Sequence, residues 1–190
     1  MVNKIIISGN IAGSGKDTMA DYLVRKYGYN KLFFADGIYN IARNLFGMEG
    51  KNRALLQSIG EKMREIEPLV WINHEMKKVA KLISDEQKVV ISDLRRENEY
   101  IRAVEEGFLP IRVVCDRDVA IKRIVERDGF CDESLLDNES ENGTRSIPML
   151  QIYNNGTVKE LFENIDKLVE QDFTGYIKEL QDNLKMDRYC

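Results

Sequence analysis

Ile5-Ile6-Ile7-Ser8-Gly9-Asn10-Ile11-Ala12-Gly13-Ser14-Gly15-Lys16-Asp17-Thr18 is the stretch that decides how this chain is read. Ile5 to Ile7 are β-branched and apolar, the pattern of a buried strand. Ala20, Leu23, Val24 and Tyr27 then share one face of a following helix. Between them lies a glycine-rich turn that ends in Gly-Lys. Glycines let successive backbone N–H groups converge on a phosphate, the helix N-terminus adds positive partial charge, and the lysine reaches β- and γ-phosphates. The arrangement is that of a phosphate-binding P-loop, or Walker A motif. Gly13, Ser14, Gly15, Lys16, Asp17 and Thr18 are its candidate nucleotide-binding residues.

Two positions depart from G-x-x-x-x-G-K-[ST]. Counting back from Lys16 puts Asn10 at the first glycine position. Either Asn10 takes that backbone conformation, which Asn tolerates better than most residues, or Gly9 fills the role and the loop is one residue longer. After Lys16 stands Asp17, where Ser or Thr would hold magnesium, with Thr18 one step later. A carboxylate is still a hard oxygen ligand, directly or through water. Asp17 therefore remains a candidate magnesium ligand.

With 190 residues the chain has the length of one domain with room for inserted segments. No apolar run reaches the length of a membrane span, and Met1 to Ile7 is too short for a signal peptide, so the cytoplasm is the expected location. Cys115, Cys131 and Cys190 are odd in number and lack Cys-x-x-Cys spacing, which indicates neither a disulfide framework nor a zinc site. A net charge of −4 argues against a nucleic-acid binder, leaving small-molecule nucleotides as the expected partners. A homodimer is left open.

Further along, Lys31–Asp36 reads as a second strand. Residues 38–82 are helical in pattern, with breaks at Phe46-Gly47-Met48-Glu49-Gly50 and at Pro68. Lys88–Asp93 reads as a third strand, Glu97–Glu106 as a helix, Ile111–Cys115 as a fourth strand and Val119–Arg127 as a helix. From Asp128 to Ser146 the chain is polar and loses periodicity, which predicts a mobile surface excursion. Pro148–Tyr153 reads as a fifth strand. Thr157 caps a last helix with Val158, Leu161, Phe162, Ile165, Leu168 and Val169 at helical spacing. Alternating strands and helices predict an α/β fold, a parallel sheet of about five strands with helices on both faces. Ligands then sit beyond the carboxyl ends of the strands, where the P-loop, Asp36, Asp93 and Arg117 all fall.

Phosphoryl transfer asks for positioning and charge neutralisation more than for a nucleophilic side chain. Lys16 supplies a cation for donor phosphates. Asp93, ending a buried strand, is placed to orient magnesium through water, or to cap the next turn. Arg95 and Arg96 follow it, and one of them facing an anion is expected. Arg43, Arg64 and Arg117 are each open to being solvated charges. The single histidine, His74, lies on a helix and makes a protease-like triad untenable.

These pieces resemble the phage-type deoxynucleoside monophosphate kinase family. The resemblance rests on Ser-Gly-Lys-Asp-Thr at 14–18, Phe-Ala-Asp at 34–36, and Leu-Leu-Gln-Ser-Ile-Gly at 55–60 with Arg64 and Trp71. It continues through Val-Ile-Ser-Asp-Leu-Arg-Arg-Glu-Asn-Glu at 90–99, Asn-Glu-Ser-Glu at 138–141 and Ile-Tyr-Asn-Asn-Gly at 152–156. Only their order makes the short pieces specific. Dephospho-coenzyme A kinases and animal-type phosphomevalonate kinases share some of them. The resemblance implies a three-layer P-loop kinase fold with core segments 1–36, 88–115 and 147–190, an acceptor-binding region at 37–87 and a lid at 116–146. It implies transfer of the ATP γ-phosphoryl group to a deoxynucleoside 5′-monophosphate with magnesium. By position, Lys16 and the Gly13–Thr18 backbone would hold ATP, and Asp93, with Asp17, would support the metal. Arg95, Arg64, Arg43 and Asp36 would serve the acceptor, Arg123 and Arg127 would close over the transferring group, and Asn155 and Gly156 would meet the adenine edge. Arg96 stands where the family pattern has an aromatic, and Asn138 where a histidine is common, so base preference does not transfer. The alternatives are a dephospho-coenzyme A or other small-metabolite kinase of the same fold, and a non-catalytic nucleotide-binding regulator, supported by the irregular loop start and Asp17.

Overall fold

The structure, a computed structural model, describes residues 2–132, 136, 143, 144 and 146–186. The motif residues Asn138 to Glu141, together with Arg145 and Cys190, lie outside the described residues. The order of elements is β1 (Lys4–Gly9), α1 (Lys16–Tyr27), β2 (Tyr29–Leu32), α2 (Asp36–Phe46), α3 (Arg53–Ile66), α4 (Val70–Ser84), β3 (Lys88–Ile91), α5 (Glu97–Glu105), β4 (Leu109–Val114), α6 (Arg117–Asp128), β5 (Leu150–Tyr153), α7 (Val158–Val169) and α8 (Thr174–Met186).

All strand pairs are parallel, in the order β2-β3-β1-β4-β5. β1 is central, and Ile5, Ile6 and Ile7 have no exposed surface. Strand side chains alternate between faces, so these isoleucines serve two cores. Ile5 and Ile7 pack with Met19, Leu23, Leu161 and Ile165 from α1 and α7, whereas Ile6 packs with Ile72, Met76, Val79, Val104 and Leu180 from α4, α5 and α8. Burying each such side chain contributes roughly 1.5–3 kcal/mol. A smaller cluster of Ile38, Ala42, Ile59 and Trp71 binds α2, α3 and α4 together beside the sheet. No helix among the described residues is long and apolar enough to cross a membrane.

The three-layer architecture matches the sequence expectation, and several boundaries move. β2 ends at Leu32 rather than Asp36, because the Phe34 and Ala35 amides turn away from the sheet to bond Asp93. α2 consequently starts at Asp36. A final helix, α8, follows the expected last one, with Leu180 as its buried residue. The segment expected to be a surface excursion is partly core. Leu136 packs with Ile11, Cys115 and Ala120, and Thr144 is buried. The Thr144 hydroxyl bonds that of Ser8 at 3.1 Å, and its carbonyl accepts from Arg112, which also donates to the Ile147 carbonyl.

Candidate functional site

Between β1 and α1 the chain makes the phosphate-binding turn, with Gly13 at φ 82° and Gly15 at φ 97°. Both angles lie in the left-handed region that suits glycine. Gly9 is needed for another reason: a Cβ there would sit 2.4 Å from Ser14 Oγ. Asn10 does not have positive φ. Its side-chain amide instead bonds the Cys115 backbone twice, donating to the carbonyl (2.9 Å) and accepting the N–H (3.0 Å). Its own N–H donates to the Val113 carbonyl at 3.1 Å. Asn10 therefore fastens the start of the loop to the end of β4, and Gly9 supplies the close approach.

The far side of the loop is equally constrained. Asn154, buried after β5, donates from Nδ2 to the Ser14 carbonyl at 2.8 Å and lies where a Cβ on Gly15 would be. Gly13 packs under α6, with the Ala120 carbonyl and Ile124 side chain each 3.1 Å from a Cβ built there. Arg123 of α6 donates to the carbonyls of Asn154 (2.8 Å) and Gly156 (3.0 Å). The Asn155 side chain accepts from the Asp116 N–H at 2.8 Å. Arg123, Asn155 and Gly156 are thus brought together at the α6 side of the loop, with Arg123 engaged by that turn. Arg127 is paired with its neighbour Asp128 at 2.6 Å and is largely exposed.

Lys16 opens α1 and lies 2.8 Å from Asp17, whose other oxygen is 3.6 Å from Lys31. Burial would raise the Asp17 carboxyl, but Lys16 and Lys31 outweigh it and hold it below its ordinary value. Asp17 is therefore an ionised group shared by two cations. Lys31, fixed also by Asp21 at 2.9 Å, was not singled out in the sequence, because nothing in a strand pattern reveals which helix carboxylate a lysine meets.

Asp93, just past β3, accepts the Phe34 N–H on one oxygen (2.9 Å) and the Ala35 N–H on the other (3.0 Å). Burial raises its pKa against those two bonds and the positive charges of Arg95 and Lys16. Each carboxylate oxygen has a second lone pair, so the capping bonds leave acceptor capacity. Glu99 is buried with a pKa pushed up to about 7, mainly by burial, and its Oε2 accepts the N–H groups of Arg95 (2.9 Å) and Arg96 (3.0 Å). That carboxylate fixes the turn presenting both arginines. Arg64 of α3 folds over Gly60, its Nη1 3.2 Å from a Cβ built there. Its pKa is lowered first by burial and then by the charge of Arg96. The Arg96 charge thus reaches Arg64, although the two arginines come from different elements. Arg43, two turns along α2, is exposed and stacks over Tyr39 at 5.3 Å.

Asp36 opens α2, and its N–H donates to the Phe33 carbonyl at 3.1 Å. Its carboxylate lies 3.5 Å from Lys78, which is 2.6 Å from the fully buried Glu75. His74 is half-exposed, and burial and Lys78 lower its pKa. Glu75 and Lys78 are not legible as site residues in the sequence, where they read as an ordinary helical i, i+3 pair. Among the described residues no group of three or more His, Cys, Asp or Glu could hold a metal. Magnesium bound here would need phosphate oxygens and water besides Asp17 or Asp93, which suits an ion that usually keeps several waters.

The fold is shared with solved structures, kinases among them. TT1252 from Thermus thermophilus is 21% identical over 89% of this chain and 97% of its own, with a TM-score of 0.57. Dephospho-CoA kinase from Campylobacter jejuni is 14% identical over 88% of this chain and 96% of its own, at 0.51. Shikimate kinase from Acinetobacter baumannii, solved with shikimate, is 14% identical over 89% and 93%, also at 0.51. These likenesses and the parallel sheet show the P-loop kinase fold. No curated protein matches the chain in sequence. The AAA domain family profile matches residues 5–145, which hold the phosphate-binding turn, the Asp93–Arg96 turn and α6, and the chain belongs to that family.

Proposed function

We propose that this protein is a small-molecule kinase that transfers the γ-phosphoryl group of ATP to a deoxynucleoside 5′-monophosphate, giving the diphosphate. The observation that carries the reading is the phosphate-binding turn at Gly13, Gly15 and Lys16, together with Asp93 and the Arg95–Arg96 turn that Glu99 fixes just past the neighbouring strand β3. Arginines meet an anionic acceptor with charge-assisted, often bidentate hydrogen bonds. The Gly9–Lys16 turn takes the donor phosphates on backbone N–H groups, with Lys16 leaving Asp17 to Lys31 and moving to the β- and γ-phosphates. An acceptor phosphate oxygen attacks the γ-phosphorus in line, the bond to the β–γ bridging oxygen breaks, and ADP leaves. Arg95 and Arg64 orient the acceptor and Arg127 neutralises charge on the transferring group. Arg123 keeps the turn at 154–156 in place, where Asn155 and Gly156 face the adenine edge. Magnesium, held by phosphate oxygens with Asp93 or Asp17 reached through water, would neutralise the β- and γ-oxygens.

A second reading, a kinase whose acceptor is a metabolite hydroxyl, is favoured by one observation: the Asp36 carboxylate held beside Lys78. One assay separates the two. Purified protein with ATP and magnesium is offered each deoxynucleoside monophosphate, then dephospho-coenzyme A and small hydroxy acids. The first reading expects a diphosphate from at least one nucleotide and no faster turnover of any other acceptor. Phosphorylation confined to the hydroxyl acceptors would replace it with the second.

A further inference from the structure

Residues 71, 74, 75 and 78 recur at i, i+3, i+4 and i+7 and so share one face of α4. That face meets the start of α2. A Cβ on Gly37 would lie 2.8 Å from the Trp71 ring and 3.3 Å from the His74 ring. One residue earlier, Asp36 points its carboxylate toward Lys78 at 3.5 Å. Behind the lysine, Glu75 has no exposed surface and accepts from Lys78 on Oε1 at 2.6 Å, while its Oε2 is buried with no hydrogen-bond partner.

A packing role alone does not account for this acid. A buried carboxyl with an unsatisfied oxygen is costly, and an apolar side chain would fill the space more cheaply. What Glu75 does provide is a fixed anchor for a long, flexible lysine. Once held, the ammonium has two donors remaining, and the carboxylate it faces is Asp36. The backbone before Asp36 is held independently, by the Asp93 bonds to Phe34 and Ala35. Asp36 is therefore positioned twice, at its backbone by Asp93 and at its side chain by Lys78, yet its side chain remains 39% exposed at the rim. An ionised carboxylate only accepts hydrogen bonds, so the ligand group it meets must donate one.

We propose that Lys78 and Glu75 are positioning residues that fix Asp36 as an acceptor-binding carboxylate, and that Asp36 reads a hydroxyl on the acceptor. This rests on the kinase reading above. In a deoxynucleoside monophosphate the sugar carries a single hydroxyl, at the 3′ position. The site then recognises its acceptor at two ends, the phosphate through the arginines and the sugar through Asp36. The titratable groups beside Glu75 are Lys78 and His74 on its own helix, His74 Nε2 lying 3.7 Å from Oε1, and the charges of Asp36 and Asp93 also reach it. Burial first, then the two aspartates, raise the Glu75 pKa to about 7, while Lys78 lowers it.

The test is steady-state kinetics of the full-length protein, wild type against Lys78→Met, Lys78→Arg, Glu75→Leu, Asp36→Asn and the Lys78→Met/Asp36→Asn pair. Lys78→Met is expected to raise the acceptor KM about tenfold, the loss of one charge-assisted contact. The ATP KM and kcat should stay near wild type. The melting temperature should fall in Lys78→Met, which strips the buried Glu75 of its Lys78 bond, and not in Glu75→Leu, so the shared rise in acceptor KM is separated from stability. Lys78→Arg should recover most of the affinity, and Glu75→Leu should mimic Lys78→Met. The effect of Lys78→Met should vanish in the Asp36→Asn background. A 2′,3′-dideoxynucleoside monophosphate should lose about tenfold in wild type and distinctly less in Asp36→Asn, whose amide oxygen is a neutral, weaker acceptor. Unchanged acceptor KM in Lys78→Met, or losses that simply add to those of Asp36→Asn, overturn the inference while leaving the kinase reading intact. Turnover of other acceptors alone overturns the nucleotide reading, and the same variants on those acceptors then decide this inference. Absence of transfer to any acceptor overturns both.

Discussion

Asn10 shows how a residue that breaks a motif can be explained by what it touches. A glycine at that place would leave the Cys115 N–H and carbonyl without the two bonds that Asn10 now provides. Asn10→Ala should destabilise the protein by about 1–3 kcal/mol and weaken ATP binding, since the loop loses its tie to β4. Denaturant titration and calorimetry of ATP binding measure the two effects, and a change in neither would mean that the tie is decorative. Asp17 is a second departure with a local cause. Shared between Lys16 and Lys31, it keeps Lys16 at the mouth of the loop. Lys31→Met should lower ATP affinity several-fold, because Asp17 then competes for Lys16 with the phosphates. An unchanged dissociation constant across a magnesium titration would argue against that competition. The sequence disclosed the loop lysine and glycines because backbone convergence needs those residue types at that spacing. It did not disclose Glu75, Lys78 or Lys31, whose roles depend on which helix face meets which strand end.

At the level of elements, the loop, α6 and the stretch returning to β5 form one unit. Gly13 touches α6, and a Cβ on Gly143 would lie 2.6 Å from the Arg95 carbonyl. Gly143 therefore lies against the backbone of an arginine assigned to the acceptor. Gly143→Ala should displace that turn and raise the acceptor KM more than the ATP KM. Gly13→Ala, forced into φ 82°, should cost roughly 1–2 kcal/mol and damage ATP binding first. Kinetics of the two variants side by side distinguish the sites, and identical profiles would contradict the division into donor and acceptor halves. The strand–helix order was legible because Ile5 to Ile7 and the helix stripes carry opposite periodicities. The burial of Leu136 and Thr144 was not, because a polar, aperiodic stretch gives no sign that it crosses a core.

Across the whole molecule, two buried acids near the rim link stability to pH. Glu75 and Glu99 each have a folded-state pKa of about 7, above the ordinary 4.5. Between those values the folded protein holds more protons than the unfolded chain, so stability falls as pH rises from about 4.5 to 7. The displacement corresponds to at most about 3 kcal/mol for each acid. Glu75→Gln and Glu99→Gln should each flatten the slope of unfolding free energy against pH over that window, as measured by denaturant titration. A wild-type slope of opposite sign would refute the assignment. The same rim joins the donor loop, Asp93, the arginine pair and Asp36, and the central claim is that it transfers phosphate between two bound nucleotides. ATP labelled in its γ-phosphate, incubated with magnesium and a deoxynucleoside monophosphate, tests this most directly. The account predicts label in the β-phosphate of a deoxynucleoside diphosphate, formed about 10²–10³-fold more slowly by Lys16→Ala. Label appearing only as inorganic phosphate, or at equal rates in Lys16→Ala, would contradict it.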